Sequence, residues 1–459
     1  MKIIICGAGQ VGFSIAGHLA VEDNDITVID TNADRVQRMV EANDVRGVIG
    51  VASHPDILRD AGAEDADMLI AVTESDEINM VACQVAHSIF NIHLRIARIR
   101  AGAYLDPQFG DLYSPDNLPI DHIISPEAEV SDAVSRRLRV PGAFDMAEMC
   151  GGRALIVGVR CDETCPILGS SIRELTALFE DLTLTIIAII RGTEIIVPRD
   201  GSVEMEEGDR VYFVCDRDHL SRAMISFGHE EPESRKVLIA GSGTVGMMVA
   251  RDINKRFEGA HCTLIEYNRE RAREAALQLP NVTIINGDAL DPDILHEGGI
   301  SDIDTFVALT DDDEVNVLSS LLARRFGAAH VVSLVNMASF VPLINTLGVD
   351  SVINPPAITV SSILQHVRRG RVRDIHTITE ELGEVMEVEA MASSPLVGTA
   401  LRKVKMPKQS SVGGILRGEQ VLAVRGDTVI EPGDRVVIFA ARGVIRDVEK
   451  TLSVRLDYF

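Results

Sequence analysis

The chain is written twice, and that repeat restricts its fold more than any single motif does. Met1 to Asp30 reads MKIIICGAGQVGFSIAGHLAVEDNDITVID, and Arg235 to Glu266 reads RKVLIAGSGTVGMMVARDINKRFEGAHCTLIE, with the glycines in register. Both spell strand, glycine turn, helix, strand. Further on, HPDILRDAGAEDADMLIAVTESDEINMVACQVA (His54 to Ala86) is matched by DPDILHEGGISDIDTFVALTDDDEVNVLSSLLA (Asp291 to Ala323), which sets Thr73 opposite Thr310. Each half then reaches an Ile-x-Pro segment, IISPE around Pro126 and VINPP around Pro355, and a helical stretch ending in basic residues. Arg136, Arg137 and Arg139 correspond there to Arg368, Arg369 and Arg371. A second segment of strand-like runs follows in each half, with Gly208-Asp209-Arg210 opposite Gly433-Asp434-Arg435.

This pattern predicts an α/β chain of two tandem Rossmann-like domains, each followed by a small α+β domain. The expected boundaries are 1–125 and 235–355 for the Rossmann-like domains and 126–143 and 356–372 for the crossover helices. The small C-terminal domains fall at 144–228 and 373–457, and the polar, proline-bearing GHEEPES stretch from Gly228 to Ser234 joins the halves. A length of 459 residues suits about three or four compact units. Composition leans the same way, with 46% apolar residues but only 4% aromatic and no Trp, a profile of buried parallel strands and covering helices.

A formal net charge of -25 argues against a nucleic-acid backbone or an anionic lipid surface as partner. It suits the Lys/Arg-rich cytoplasmic loops of an integral membrane protein better. The longest apolar runs, such as Leu184 to Ile190, fall far below the roughly 20 residues that a spanning helix needs. Seven scattered cysteines fit reduced thiols. Cys161 and Cys165 lie close together but lack a second pair for zinc, so ordinary loop thiols are expected and no metal site is.

Gly7-Ala8-Gly9-Gln10-Val11-Gly12 follows an apolar strand and opens a helix, and Asp30 closes the next strand 18 residues later. Gly7 permits the tight turn, Gly9 lets backbone approach a pyrophosphate, and Gly12 allows close helix packing, while the helix N-terminus offers N–H groups to a phosphate. Asp30 would accept from both ribose hydroxyls and repel a 2′-phosphate, which favours NAD or an adenine nucleotide over NADP. The second copy, Gly241-Ser242-Gly243-Thr244-Val245-Gly246, is intact, and Glu266 replaces the Asp with one more methylene. Glycines kept only for helix packing are the alternative in each copy.

Thr73-Glu74 and Thr310-Asp311 end a later apolar strand, at the edge where parallel sheets hold ligands. The competing reading makes each Thr a helix N-cap ahead of an acidic first turn, and the Asp311-Asp312-Asp313-Glu314 run is read as that cap rather than as a cation site. Arg98, in RIARIR, is placed to neutralise a phosphate through its planar fork. The second copy puts Val335 or Asn336 there, and the lost charge predicts weaker or different binding. No catalytic set emerges. His54, His87, His93 and His122 have no matching His in the second copy, so none is read as a proton donor, and no enzymatic activity is expected.

On these motifs the chain resembles the tandem RCK-domain family of Trk-type potassium-uptake regulators. The carriers are GAGQVG with Asp30, Thr73 and Arg98; GSGTVG with Glu266; the two Ile-x-Pro crossovers; and the paired GDRV signatures. The resemblance spans essentially the whole chain. It implies a cytoplasmic protein, peripheral on the inner face of the cell membrane, that forms a homo-oligomeric ring, a tetramer, beneath a membrane-embedded potassium-translocating subunit of the TrkH/TrkG type. It implies binding of NAD(H) and/or ATP/ADP without turnover. An NAD-dependent oxidoreductase with duplicated Rossmann domains, or a regulator of another cation transporter, are the rival readings.

Overall fold

The computed structural model describes residues 1–20, 24–114, 116–179, 181–192, 194–199, 201–367, 372–378 and 382–452. Arg368, Arg369 and Arg371, matched above to the arginines of the first crossover helix, lie outside the described residues.

The first parallel lobe takes six strands: β1 (Lys2–Cys6), β2 (Asp25–Asp30), β3 (Arg46–Ile49), β4 (Met68–Ala71), β5 (Leu94–Arg98) and β6 (His122–Ile124). Their order is β3-β2-β1-β4-β5-β6, the doubly wound arrangement whose strand order reverses beside β1. Ile3, Ile4, Ile5 and Cys6 are all buried because helices cover both faces, which is why β1 reads as a continuous apolar run rather than an alternation. Ile3, Ile5, Ile70 and Ile96 point into one core, and Ile4, Leu69 and Ala97 into the other.

An antiparallel lobe follows, with β7 (Ala143–Met149), β8 (Ala154–Arg160), β9 (Leu184–Arg191), β10 (Glu194–Ile196) and β11 (Arg210–Asp216) in the order β10-β9-β11-β8-β7. The second parallel lobe, β12 (Lys236–Ala240), β13 (His261–Glu266), β14 (Thr283–Asn286), β15 (Thr305–Ala308), β16 (His330–Leu334) and β17 (Ser351–Ile353), repeats the first strand for strand. Its register matches too: Ile3 pairs with Met68 as Val237 pairs with Thr305. The last lobe holds β18 (Val372–Ile378), β19 (Gly383–Glu389), β20 (Ser410–Arg417), β21 (Gln420–Leu422) and β22 (Arg435–Ala441), ordered β18-β19-β22-β20-β21. The expected alternation of Rossmann-like and small α+β domains is therefore present.

The chain clusters into two compact units, and the crossover helices are exchanged between repeats. Helix Pro355–Val367, which follows the second parallel lobe, belongs to the first unit. Its Val360, Ile363, Leu364 and Val367 share a core with Val11, Ile15 and Leu19 of helix Gln10–Ala20. Helix Pro126–Arg139 belongs from Val130 onward to the second unit. There Ser131 donates to Asp252 (3.2 Å), Arg256 pairs with Asp132 (2.8 Å), and the Arg139 guanidinium lies 5.6 Å from the Phe257 ring centre. In the second unit the two antiparallel lobes pack face to face, with Ile187, Tyr212 and Val214 of one in a common core with Val437 and Phe439 of the other. No helix among the described residues is long and apolar enough to cross a membrane.

Candidate nucleotide site

At the carboxyl end of β1 the glycine loop divides its labour unequally. Gly7 sits at φ +115°, and a Cβ there would lie 2.9 Å from the Val72 carbonyl oxygen; its N–H donates to Ile29 O (2.7 Å). A Cβ on Gly12 would fall 1.9 Å from Gly7 O, so helix Gln10–Ala20 approaches the loop only because Gly12 has no side chain. Gly241 (φ +103°) and Gly246 (2.1 Å from Gly241 O) repeat both constraints. Gly9 and Gly243 differ, because a Cβ on either would meet nothing within 4 Å. Neither requires the left-handed region, so the folded chain itself has no need of glycine at these two positions. Gln10 and Thr244 are exposed at the first helical turn, Val11 is buried in the core and Val245 half-buried.

The two strand-end carboxylates hold the loops. Asp30 Oδ2 accepts from Ala8 N–H (2.7 Å) and Oδ1 from Asn32 N–H (2.8 Å). Glu266 Oε2 accepts from both the N–H (2.8 Å) and the hydroxyl (2.7 Å) of Ser242, and Oε1 from Asn268 N–H (2.7 Å). Burial pushes the Glu266 carboxyl up, but the bonds from Ser242 and Asn268 outweigh it and hold it below its ordinary value. A carboxylate has about four lone-pair sites. Asp30 thus keeps one on each oxygen, enough for two ribose hydroxyls, whereas Glu266 keeps one in all.

Thr73 and Thr310 are occupied by a partner that reading the motifs did not single out. Asn79, fully buried, accepts at Oδ1 from the Thr73 N–H (2.9 Å) and hydroxyl (2.7 Å), and donates through Nδ2 to Thr73 O (3.3 Å) and Arg98 O (2.9 Å). Asn316 does the same for Thr310 N–H (2.8 Å), its hydroxyl (2.7 Å), Thr310 O (2.9 Å) and Leu334 O (3.0 Å). The helix caps are two residues later than the cap reading placed them. Ser75 Oγ accepts from Ile78 N–H (3.2 Å), and Asp312 Oδ1 from Val315 N–H (2.9 Å). In the acidic run Asp313 accepts from Asn336 and Met337 N–H (both 2.9 Å), as Asp76 does from Arg100 (3.0 Å) and Ala101 (2.8 Å). Glu74 is exposed and lies 3.6 Å from Arg35, and Asp311 is exposed. The signal for Asn79 was the recurrence of a polar residue six positions after each Thr, on a helix face that otherwise packs inward. Replacing Asn79 or Asn316 by Ala is expected to cost about 1–3 kcal/mol for each backbone group left unpaired, read as a fall in thermal stability.

The asparagine also fixes the register of the next strand and corrects one expectation. Arg98 O accepts from Asn79 as Leu334 O does from Asn316, and Arg100 N–H donates to Asp76 as Asn336 N–H does to Asp313. The second lobe therefore sets Leu334 opposite Arg98, and Val335 and Asn336 lie opposite Ile99 and Arg100. Arg98 is half-buried and its Nε has no hydrogen-bond partner among the described residues. Burial, then the charge of Arg100, push its guanidinium below the usual range against Glu127, Asp76 and Glu74. A buried donor without a partner carries a desolvation cost that an anionic oxygen would remove.

The TrkA-N domain family matches residues 3–126 and 237–355, and the TrkA-C domain family residues 156–228 and 385–453. The Trk system potassium uptake protein TrkA of Azorhizobium caulinodans is 46% identical over 100% of both chains, and that of Halomonas elongata 40% identical, again over 100% of both. Among solved structures, the GsuK RCK domain superposes with a TM-score of 0.61 at 16% identity, covering 98% of this chain and 94% of that one. The GsuK channel bound to NAD gives 0.60 at 16% identity, covering 98% and 78%, and at these identities both show the fold. With both domain families matched in each repeat and relatives aligned from end to end, the chain belongs to the TrkA family of Trk-system potassium uptake proteins.

Proposed function

We propose that the chain is a nucleotide-binding regulatory subunit of a potassium uptake system, acting by binding rather than by turnover. The observation that carries this reading is the bare position at Gly9 and again at Gly243, where the loop keeps a glycine that its own packing does not use. Backbone without a side chain at the mouth of a helix N-terminus is what a pyrophosphate requires. Arg98, with its unmatched Nε, and Asp30, with one acceptor site left on each oxygen, supply a phosphate partner and a ribose partner in the first lobe. The ligand class is NAD(H) and/or ATP/ADP, and the GsuK structure with NAD supports the first of these.

The nucleotide acts through its different affinity for two arrangements of the lobes. The remaining assignments rest on the family: a homo-oligomeric ring, a tetramer, on the cytoplasmic face of the membrane, working on a membrane-embedded potassium-translocating subunit of the TrkH/TrkG type. Calorimetric titration of NADH, NAD, ATP, ADP and NADPH tests the reading on the natural chain and on Asp30→Ala and Gly243→Asp. Saturable binding, lost in one lobe with each change and without consumption of the nucleotide, is the expected result. No binding, or substrate-dependent NADH consumption, would overturn it in favour of a ligand-free scaffold or an oxidoreductase.

A further inference from the structure

The turn from Cys161 to Cys165 lies in the first antiparallel lobe, outside the nucleotide loops. Both cysteines are buried, at 0% and 4% exposure, beneath an exposed three-residue cover of Asp162, Glu163 and Thr164, and both side chains belong to one buried cluster with Ile167 and Met205. The repeat supplies an internal control on what this turn needs. Cys161 exchanges backbone bonds with Asp209 O (2.8 Å) and Gly208 N–H (2.7 Å), and Ala390 does the same with Asp434 O (2.8 Å) and Gly433 N–H (2.7 Å). Cys165 N–H donates to Asp162 O (3.0 Å), and Ser394 N–H to Met391 O (2.8 Å). The second copy therefore builds the same turn with Ala390 and Ser394, so the sulfurs are not there to make it fold.

We propose that Cys161 and Cys165 are a modification site, a dithiol that closes to a reversible intramolecular disulfide by exchange with low-molecular-weight disulfides. The neighbouring Cys161 thiol and the Ile167 backbone favour the Cys165 thiolate against the cost of burial, whereas burial pushes the thiols of Cys6, Cys83, Cys150, Cys215 and Cys262 up. The Cys165 thiolate attacks one sulfur of the small disulfide RSSR and expels RS⁻, forming a mixed disulfide. Cys161 then attacks the Cys165 sulfur and expels the second RS⁻. The two thiol protons end on the two departing thiolates, so one RSSR is reduced to two RSH as one protein disulfide forms. The change is felt next to the joint between the repeats, because Gly228 packs against Thr164, Cys165 and Pro166, and His229 lies 3.3 Å from Arg160 O.

The test equilibrates the full-length protein in mixtures of oxidised and reduced glutathione, quenches with acid, alkylates and digests with trypsin. Cleavage after Arg160 and Arg173 releases both cysteines in one peptide, CDETCPILGSSIR. The expected result is that this peptide appears unalkylated and two hydrogen atoms short, while peptides bearing the other five cysteines stay alkylated. The double variant Cys161→Ala/Cys165→Ser, which installs the residues of the second copy, is expected to fold and to show no such change. Cys161→Ala alone is expected to accumulate glutathione on Cys165, and serves as the second variant should the double one fail to fold. A peptide that stays doubly alkylated at the oxidising end, or oxidation that falls first on another cysteine, would overturn the proposal.

Discussion

Arg98→Leu is expected to weaken binding of ADP at the first glycine loop by roughly 10- to 150-fold, the equivalent of about 1.5–3 kcal/mol for a hydrogen bond to a charged group. The substitution writes into the first lobe the residue that the second lobe carries at the same register position, Leu334. It is informative because the Arg98 Nε makes no hydrogen bond to the described residues of its own lobe. Its carbonyl oxygen, which holds Asn79, is unaffected by the side chain. Stability should therefore change little while affinity falls, and the two effects separate in one thermal and one calorimetric experiment. Measuring in the Gly243→Asp background confines the titration to the first loop. Arg98→Lys should lose part of the affinity, since an ammonium keeps the charge but not the fork. Equal affinity in Arg98→Leu and the natural chain would place the phosphate elsewhere and leave the buried guanidinium as a structural cation near Glu127 and Asp76.

The comparison also shows which parts of such a site are written locally. Gly7, Gly12 and Asp30 were legible because a tight turn, a close helix and a strand-end carboxylate each demand a residue type at a fixed spacing, and the second copy repeats the spacing. Asn79 was marked only by its recurrence as Asn316, because a buried asparagine on an amphipathic helix otherwise looks like any polar residue until the strand end it bonds is in place. The register of Leu334 failed for a related reason. Leu334 and Val335 both continue an apolar strand, and which of them faces the crevice edge is decided by Asn316 and Asp313 on the preceding helix, whose contacts exist only once the chain is folded. The exchange of crossover helices was hidden more deeply. The apolar face of Val360, Ile363 and Leu364 announces that it must be covered, but the two parallel lobes are near copies, and the pattern of the helix does not say which one receives it.

Asp145→Ala is expected to destabilise the second unit by about 3–5 kcal/mol, the cost of leaving a buried charge without its counter-ion. Asp145, on β7, receives Arg137 Nη2 from helix Pro126–Arg139 (2.8 Å), the Tyr212 hydroxyl from β11 (3.0 Å) and lies against His376 Nε2 on β18 (2.9 Å). Arg137 also donates to Met146 O (3.2 Å) and Ser351 Oγ (3.4 Å). One carboxylate thus ties a crossover helix, both antiparallel lobes and, through Arg137, the edge strand β17. Removing it strands a guanidinium whose side chain is 9% exposed and a fully buried tyrosine hydroxyl. Burial pushes the Asp145 carboxyl up, but the His376 ring, Arg137 and the Tyr212 hydroxyl together hold it well below the usual carboxylate range. Its contribution is therefore complete above the unfolded value of about 3.9 and is lost as the pH falls through the lower folded value. Urea unfolding of the natural chain, Asp145→Ala and Asp145→Asn at neutral pH measures the effect, with Asn expected to lie between the other two because it can still accept from Tyr212. On acidification the natural chain should lose this part of its stability and Asp145→Ala should not, so the gap between their midpoints narrows. An unfolding free energy for Asp145→Ala within about 1 kcal/mol of the natural chain would mean that water reaches the cluster and screens it.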